Sequence, residues 1–197
     1  FWVHTQMEQD KTLYLIPAYF NFETDAIDLE QFKESLKILV EHNPILSYVF
    51  RQKDGLPYQQ KTSLNLDIHF QYSEENTDSA EQKIKESVNA GFNIETTPPW
   101  QVRLFKIEEG VYQCFLKMHH IISDAETIQL FFKKLMDIQN SLKSGQWYSP
   151  NEISYLDYAF WLNDKSNFES SSNYWKAVFA DYSESFDLPR DLIEGDL

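Results

Sequence analysis

The stretch of sequence that decides the fold is VYQCFLKMHHIISDA, which covers residues 111–125. Its first eight residues, Val111 to Met118, are predicted to form a strand because polar and apolar residues alternate within it. Trp100 to Ile107 show a similar pattern, and the intervening Glu108-Glu109-Gly110 is typical of a hairpin turn. Two histidines follow the second strand directly, so they are expected where the chain leaves the sheet.

A long amphipathic helix is predicted after this segment. Ser123 and Glu126 can cap its first turn. Apolar residues then recur at helical spacing from Ile128 to Leu142, and Gly145 lies beyond the expected end. The motif thus connects a strand to a helix through a short loop.

The rest of the chain mixes strand and helix patterns. Further strands are predicted over Tyr14–Phe22, Leu46–Phe50 and Leu66–Tyr72. Further helices are predicted to begin at Asp28, Asp78, Ser154 and Ser172, and the tail from Ser185 is predicted to be extended. Pro17 favours an edge position for the first strand. The mixed order, without a glycine-rich phosphate loop, predicts an α/β protein, specifically an α+β mixed sheet with flanking helices. Core packing is the preferred interpretation of seven aromatic residues: Trp147, Tyr148, Tyr155, Tyr158, Trp161, Tyr174 and Trp175.

Composition narrows the range of partners. The 197 residues carry a formal net charge of −14, which disfavours binding to nucleic acid or to anionic membranes. No apolar run approaches the roughly 20 residues that span a bilayer. The single cysteine, Cys114, excludes an internal disulfide and favours a reducing, cytoplasmic setting, and its apolar neighbours predict burial.

The two adjacent histidines are the strongest chemical signal. Neighbouring strand residues point to opposite faces, so one of His119 and His120 should line a site while the other packs behind it. The same geometry argues against a metal site, and the other three histidines have no metal-like spacing to this pair. Two buried histidines with satisfied hydrogen bonds would explain the pattern equally well.

A family resemblance favours the functional interpretation. HHIISDA, residues 119–125, resembles the H-H-x-x-x-D-G motif of nonribosomal peptide synthetase condensation domains and of acyltransferases that share the chloramphenicol-acetyltransferase-like fold. YLDYAFW at 155–161 is similar to the Y-x-D-Y-A-x-W motif of condensation domains. Asn173-Tyr174-Trp175, Leu188-Pro189-Arg190-Asp191 and the opening Phe1-Trp2 also match this family. The resemblance identifies residues 1–197 as a single amino-terminal subdomain, with the carboxy-terminal subdomain missing.

The resemblance implies an amide-forming condensation between a donor acyl or peptidyl thioester and an acceptor aminoacyl thioester. Both substrates would be carried on phosphopantetheine arms of carrier proteins, with no cofactor or metal bound directly. His120 would be catalytic, and His119, Asp124 and Ala125 would support it. Expected partners are the donor and acceptor carrier proteins, the missing subdomain and neighbouring synthetase domains. The 197-residue fragment alone is expected to be inactive.

Two departures from the family pattern bear on activity. Ala125 replaces the final glycine of the motif, and His42 and Ser47 stand where the family carries arginines. The resemblance implies that the motif aspartate pairs with an arginine, so Asp124 would need a substitute partner. Arg51 and Arg103 are the candidates.

Two alternative functions remain open on the sequence alone. A degenerate, non-catalytic module that binds carrier proteins or recruits other enzymes is favoured by the missing arginines and by Ala125, and opposed by both histidines. A coenzyme A-dependent O- or N-acyltransferase of the same superfamily is opposed by the motif at residues 155–161.

Overall fold

The computed structural model describes residues 1–7, 10–149 and 154–182. The chain forms two compact units, residues 1–156 and 157–197. The predicted extended tail and the Leu188 to Asp191 motif lie outside the described residues. That residues 1–197 are one amino-terminal subdomain stays a prediction.

The first unit mixes helices and strands. Its helices are α1 (Trp2–Met7), α2 (Leu29–His42), α3 (Leu66–His69), α4 (Thr77–Ala90) and α5 (Ala125–Lys143), with a 3-10 turn at Pro44–Ser47. Its strands are β1 (Leu15–Glu23), β2 (Tyr48–Lys53), β3 (Leu56–Lys61), β4 (Phe70–Glu74), β5 (Trp100–Glu108) and β6 (Val111–His119). The predicted fold class is confirmed.

The main sheet has four strands in the order β1-β6-β5-β4, and β2 and β3 form a separate hairpin. Strand β6 pairs antiparallel with both β1 and β5, while β4 pairs parallel with β5. Pro17 lies in β1, an edge strand, where a missing backbone N–H costs no ladder hydrogen bond. The pairing of Leu15 with His119 places the motif at one end of the sheet.

The two faces of the sheet are covered differently. One face packs against α2 and α5 in a continuous apolar core that includes Leu36, Leu104, Leu116 and Ile138. The other face packs against α4 with a much smaller apolar cluster of Ala80, Phe105 and Phe115. Cys114 is buried in the larger core, as predicted, and burial raises the pKa of its thiol to about 12.

Five local predictions were wrong. The strand predicted from Leu46 begins at Tyr48, because Pro44–Ser47 form a 3-10 turn, and the last predicted helix begins at Glu169 rather than Ser172. Residues 66–69 form a helical turn rather than a strand, because the side chain of Asn65 caps it by accepting from the Asp67 amide. Helix α4 begins after Asn76 rather than at Asp78. Helix α5 is capped by Asp124 rather than Ser123, whose hydroxyl donates instead to the His119 carbonyl.

The second unit contains most of α6 (Tyr155–Asn163), a 3-10 turn at Lys165–Phe168 and α7 (Glu169–Val178). Tyr158 and Trp161 are stacked with each other on α6, and Tyr174 contacts Trp175 edge to face on α7. These four side chains are exposed, as are Trp147 and Tyr155, so the prediction of core packing is wrong for all six. It is confirmed for Tyr148, which packs against the larger core. Among the described helices, none is both long enough and apolar enough to cross a membrane.

Candidate active site

The histidine pair lies where the central strand β6 ends. The His119 amide donates to the Pro99 carbonyl at 3.0 Å, and the His120 amide donates to the Tyr14 carbonyl at 2.8 Å. The chain then turns sharply, because the Ile122 amide and the Ser123 hydroxyl both donate to the His119 carbonyl. Both neighbouring strands and the turn therefore hold the backbone of the pair.

His119 is the inward residue of the pair, with a relative exposure of 2%. Its Nδ1 accepts from the Ile121 amide at 3.0 Å, which assigns its proton to Nε2 in the neutral ring. Burial, with a smaller contribution from neighbouring His120, lowers the pKa of His119 to about 4. The ring is therefore neutral at physiological pH.

His120 is the outward residue and is half-buried. Its imidazole lies parallel to the Phe1 ring, with centroids 5.0 Å apart and planes 13° apart. No described residue forms a hydrogen bond with its ring nitrogens. The predicted division between one inward and one outward histidine matches these positions, and the catalytic role of His120 stays a prediction.

Asp124 forms the N-cap of α5 at an exposed position. Its Oδ1 accepts from the Thr127 amide at 2.8 Å and from the Thr127 hydroxyl at 2.7 Å. The Thr127 hydroxyl also accepts from the Asp124 amide, which completes a capping box. These hydrogen bonds, above all that from the Thr127 hydroxyl, lower the pKa of the Asp124 carboxyl.

The arginines suggested as substitute partners of Asp124 bond elsewhere. Arg51 donates to the Glu95 carbonyl at 3.0 Å, and Arg103 donates to the Gln101 side chain and to the Lys83 carbonyl of α4. Asp124 forms no ion pair with any residue that the structure describes. The suggestion that Arg51 or Arg103 replaces the family arginine is therefore wrong for this chain.

The positions that depart from the family pattern have clear local roles. Ala125 is the first residue of α5 and does not adopt a left-handed backbone, so this position needs no glycine here. His42 ends α2 with its ring edge-on to Tyr148. Ser47 is buried, and its carbonyl accepts from the Thr62 amide.

An open cleft of about 430 Å³ lies beside His119. Leu13, Lys11, Phe92 and Ile94 line part of its wall. A second cleft of about 320 Å³ shares Phe92 with the first and contains Lys117. Across residues 1–7, 10–149 and 154–182, no three His, Cys, Asp or Glu side chains are close enough together to hold a metal ion.

Two residues near the motif were not found by sequence reasoning. Lys117 is 3% exposed, and its ammonium donates to the carbonyls of Ser87 and Gly91 at the carboxyl end of α4. Tyr14 has a φ of 67° and supplies the carbonyl that holds His120. A lysine within an apolar alternation is a signal for the first, whereas nothing in the sequence marks the second.

Comparison with solved structures defines the fold. The starter condensation domain of rhizomide synthetase superposes with a TM-score of 0.78 at 16% identity, covering 93% of this chain and 46% of that one. The first condensation domain of the calcium-dependent antibiotic synthetase gives a TM-score of 0.68 at 16% identity, with 93% and 46% covered. The chain therefore has the fold of part of a condensation domain.

The sequence comparisons show the family. The Condensation domain model matches residues 1–195, so the chain belongs to the condensation domain family. Gramicidin S synthase 2 from Aneurinibacillus migulanus is 32% identical over 93% of this chain and 4% of the relative. Bacitracin synthase 1 from Bacillus licheniformis is 30% identical over 90% and 3%, and surfactin synthase subunit 2 from Bacillus subtilis (strain 168) is 28% identical over 96% and 5%. The chain thus spans a few per cent of these synthetases and less than half of the solved condensation domains, and the family predicted from its motifs is confirmed.

Proposed function

We propose that this chain contributes His120 to a condensation site that joins two carrier-bound acyl groups through an amide bond. The donor would be an acyl or peptidyl thioester and the acceptor an aminoacyl thioester, each on the phosphopantetheine arm of a carrier protein. The observation that carries this proposal is the position of the His120 ring. It is half-buried at the end of the central strand of a condensation-type fold, and its nitrogens form no hydrogen bond with described residues.

The chemistry needs orientation more than strong base catalysis. An α-amino group has a pKa near about 8, so part of it is already neutral at cellular pH. A thioester is already activated, so positioning the amine against its carbonyl supplies much of the rate enhancement. An imidazole at position 120 can orient the amine, accept its proton, or stabilise the tetrahedral intermediate. No acyl-enzyme nucleophile is required.

The neighbouring motif residues would act by support. His119 stays neutral because burial lowers its pKa, so it places no positive charge behind His120 at neutral pH. Asp124 and Thr127 fix the start of α5, which sets the length of the loop after His120. Both residues would hold the loop without touching substrate.

The partners follow from the same proposal. A site that receives two tethered thioesters needs donor and acceptor carrier proteins. It also needs the remainder of the condensation domain, since this chain spans less than half of its solved relatives. The 197 residues alone are therefore expected not to catalyse condensation. The buried free thiol of Cys114 fits a reducing, cytoplasmic setting.

The test compares His120→Ala with His42→Ala in a chain that spans the complete domain, supplied with loaded donor and acceptor carriers. His42 is a matched control because it is a second histidine, which ends α2 and contacts Tyr148 with its ring. We expect His120→Ala to abolish condensation product on the acceptor carrier with the fold intact, and His42→Ala to retain it. Undiminished product from His120→Ala would refute the assignment.

A non-catalytic recruitment module is the second candidate. The observation that favours it is that Asp124 has no arginine partner among the described residues. This function predicts that the complete domain binds both carriers but forms no amide product even with His120 present. Product formation by the unaltered domain would exclude it.

A further inference from the structure

We propose that Tyr14 is a positioning residue for His120, acting through its backbone carbonyl and through a ring contact relayed by Phe1. This inference rests on the proposed function, because His120 must be the group that meets substrate. Tyr14 lies immediately before β1 and is half-buried. No part of it belongs to either apolar core cluster.

The backbone of Tyr14 is held in an unfavourable conformation. Its φ of 67° lies in the left-handed region, which residues with a Cβ rarely occupy. The preceding turn enforces it, because Asp10 Oδ1 accepts from both the amide and the hydroxyl of Thr12, and the Leu15 amide donates to the Thr12 carbonyl. In this conformation the Tyr14 carbonyl accepts from the His120 amide at 2.8 Å.

That hydrogen bond has a specific consequence for the motif. Ladder pairing between β1 and β6 ends at Leu15 and His119. The Tyr14 carbonyl then holds one residue beyond the ladder, and that residue is His120. The backbone of His120 is therefore fixed by the residue that precedes β1, although His120 itself follows the last paired residue of β6.

The ring of Tyr14 supports the side chain of His120 indirectly. It contacts the Phe1 ring edge to face, with centroids 4.9 Å apart and planes 83° apart. Phe1 in turn lies flat on the imidazole of His120. Edge-to-face and stacked pairs at these separations are favourable geometries. Tyr14 thus orients Phe1, and Phe1 covers one face of the imidazole, whose nitrogens form no hydrogen bond with described residues.

Three substitutions separate the two contributions. Tyr14→Phe keeps the ring and the backbone, so we expect it to behave as wild type. Tyr14→Gly removes the ring but tolerates a positive φ, which preserves the carbonyl contact. Tyr14→Ala removes the ring and also disfavours the left-handed backbone, so we expect its effects to be at least as large as those of Tyr14→Gly.

The first readout is the NMR spectrum of histidine-labelled 197-residue chain. Stacking on Phe1 should displace the ring-proton resonances of His120 upfield, and Phe1→Ala should identify this displacement. We expect Tyr14→Phe to retain it and Tyr14→Gly and Tyr14→Ala to lose it, with unchanged circular dichroism spectra. Retention of the displacement in Tyr14→Gly would overturn the ring contribution, because a merely structural tyrosine would not move this signal.

The second readout is condensation by the complete domain. We expect Tyr14→Gly to lower kcat by about tenfold to 100-fold with KM for both carriers unchanged, because misplacing a catalytic group affects the chemical step. Tyr14→Phe should retain the wild-type kcat. A wild-type kcat in Tyr14→Gly would overturn the proposal. Full product from His120→Ala would instead refute the proposed function, while the NMR readout would still report whether Tyr14 orients the ring.

Discussion

The two faces of the four-stranded sheet solve different physical problems. Beneath α2 and α5 the sheet presents apolar side chains that need only close packing. Beneath α4 the same strands bury Lys117, Gln113 and His119, each exposed by 5% or less. A buried polar group is costly unless it is hydrogen-bonded, so this face needs partners at defined places. The apolar face therefore buries most of the core side chains, and the polar face carries Lys117 and His119, whose pKa values burial lowers.

Lys117 shows how the polar face is organised. Its ammonium lies at the carboxyl end of α4, where unpaired carbonyls and the helix dipole both favour a cation. It also lies 4.3 Å from the centre of the Phe92 ring. Burial, and to a smaller extent the nearby charge of Arg103, still lower its pKa to about 8. The contacts therefore compensate only part of the cost of burying the charge.

The largest effect is expected on the apolar face. Leu116→Ala would leave a cavity at a position that is 0% exposed, and should lower the free energy of unfolding by about 2–5 kcal/mol. The matched control is Leu56→Ala, at a position that is 72% exposed in the β2–β3 hairpin, where little change is expected. Urea unfolding measures both. Equal losses for the two variants would contradict the assignment of the core to this face.

The next effect tests Lys117 by pH. The pKa of Lys117 is about 8 in the folded protein and 10.5 in the unfolded chain. The unfolded chain therefore binds more protons between these two pH values, so the free energy of unfolding rises as pH increases through this window. The difference corresponds to at most about 3 kcal/mol. Lys117→Met should remove this rise, and Lys33→Met, at a helix surface, should keep it. An identical pH profile for Lys117→Met would contradict the depressed pKa.

His119 gives a similar test in acid. Its pKa is lowered from 6.5 to about 4, so its contribution to stability is fully present above pH 6.5 and is lost as pH falls towards 4. At most about 3 kcal/mol is expected to be lost over this window. His119→Gln should make the loss smaller, whereas His42→Gln should not. Denaturant unfolding at several pH values measures the difference, and a steep acid loss that persists in His119→Gln would assign it to another group.

The difference between the two faces also explains which parts of the structure could be predicted from the sequence. Local patterns predicted the β5–β6 hairpin to within one residue at each predicted boundary, and the apolar stripe of α5 matched the buried Phe131, Leu135 and Ile138. Such patterns succeed because burial on one face imposes a period on the residues themselves. These local patterns were therefore enough to predict the fold class and to recognise the family motif.

Contacts between distant residues left no such pattern. The acceptors of Lys117 lie 30 and 26 residues away in sequence, and the carbonyl that holds His120 belongs to Tyr14, immediately before β1. The cap of α5 was also missed, because Ser123 and Asp124 are both good cap residues and only the backbone decides between them. The residue types limit which hydrogen-bond partners and cap residues are possible, and tertiary packing decides which of them are used.

The smallest expected effect concerns Asp124, the cap at the start of α5. Asp124→Ala removes the hydrogen bonds to Thr127 and should lower the free energy of unfolding by about 1 kcal/mol, while Asp124→Ser should retain most of it. Asp28→Ala is the control, because Asp28 caps α2, which packs on the same face of the sheet as α5, by accepting from the Gln31 amide. Both caps are solvent-accessible, so similar losses are expected from thermal or urea unfolding. A loss of about 3–5 kcal/mol for Asp124→Ala alone would instead indicate that its carboxylate is half of a buried ion pair, because removing one partner leaves the other charge uncompensated.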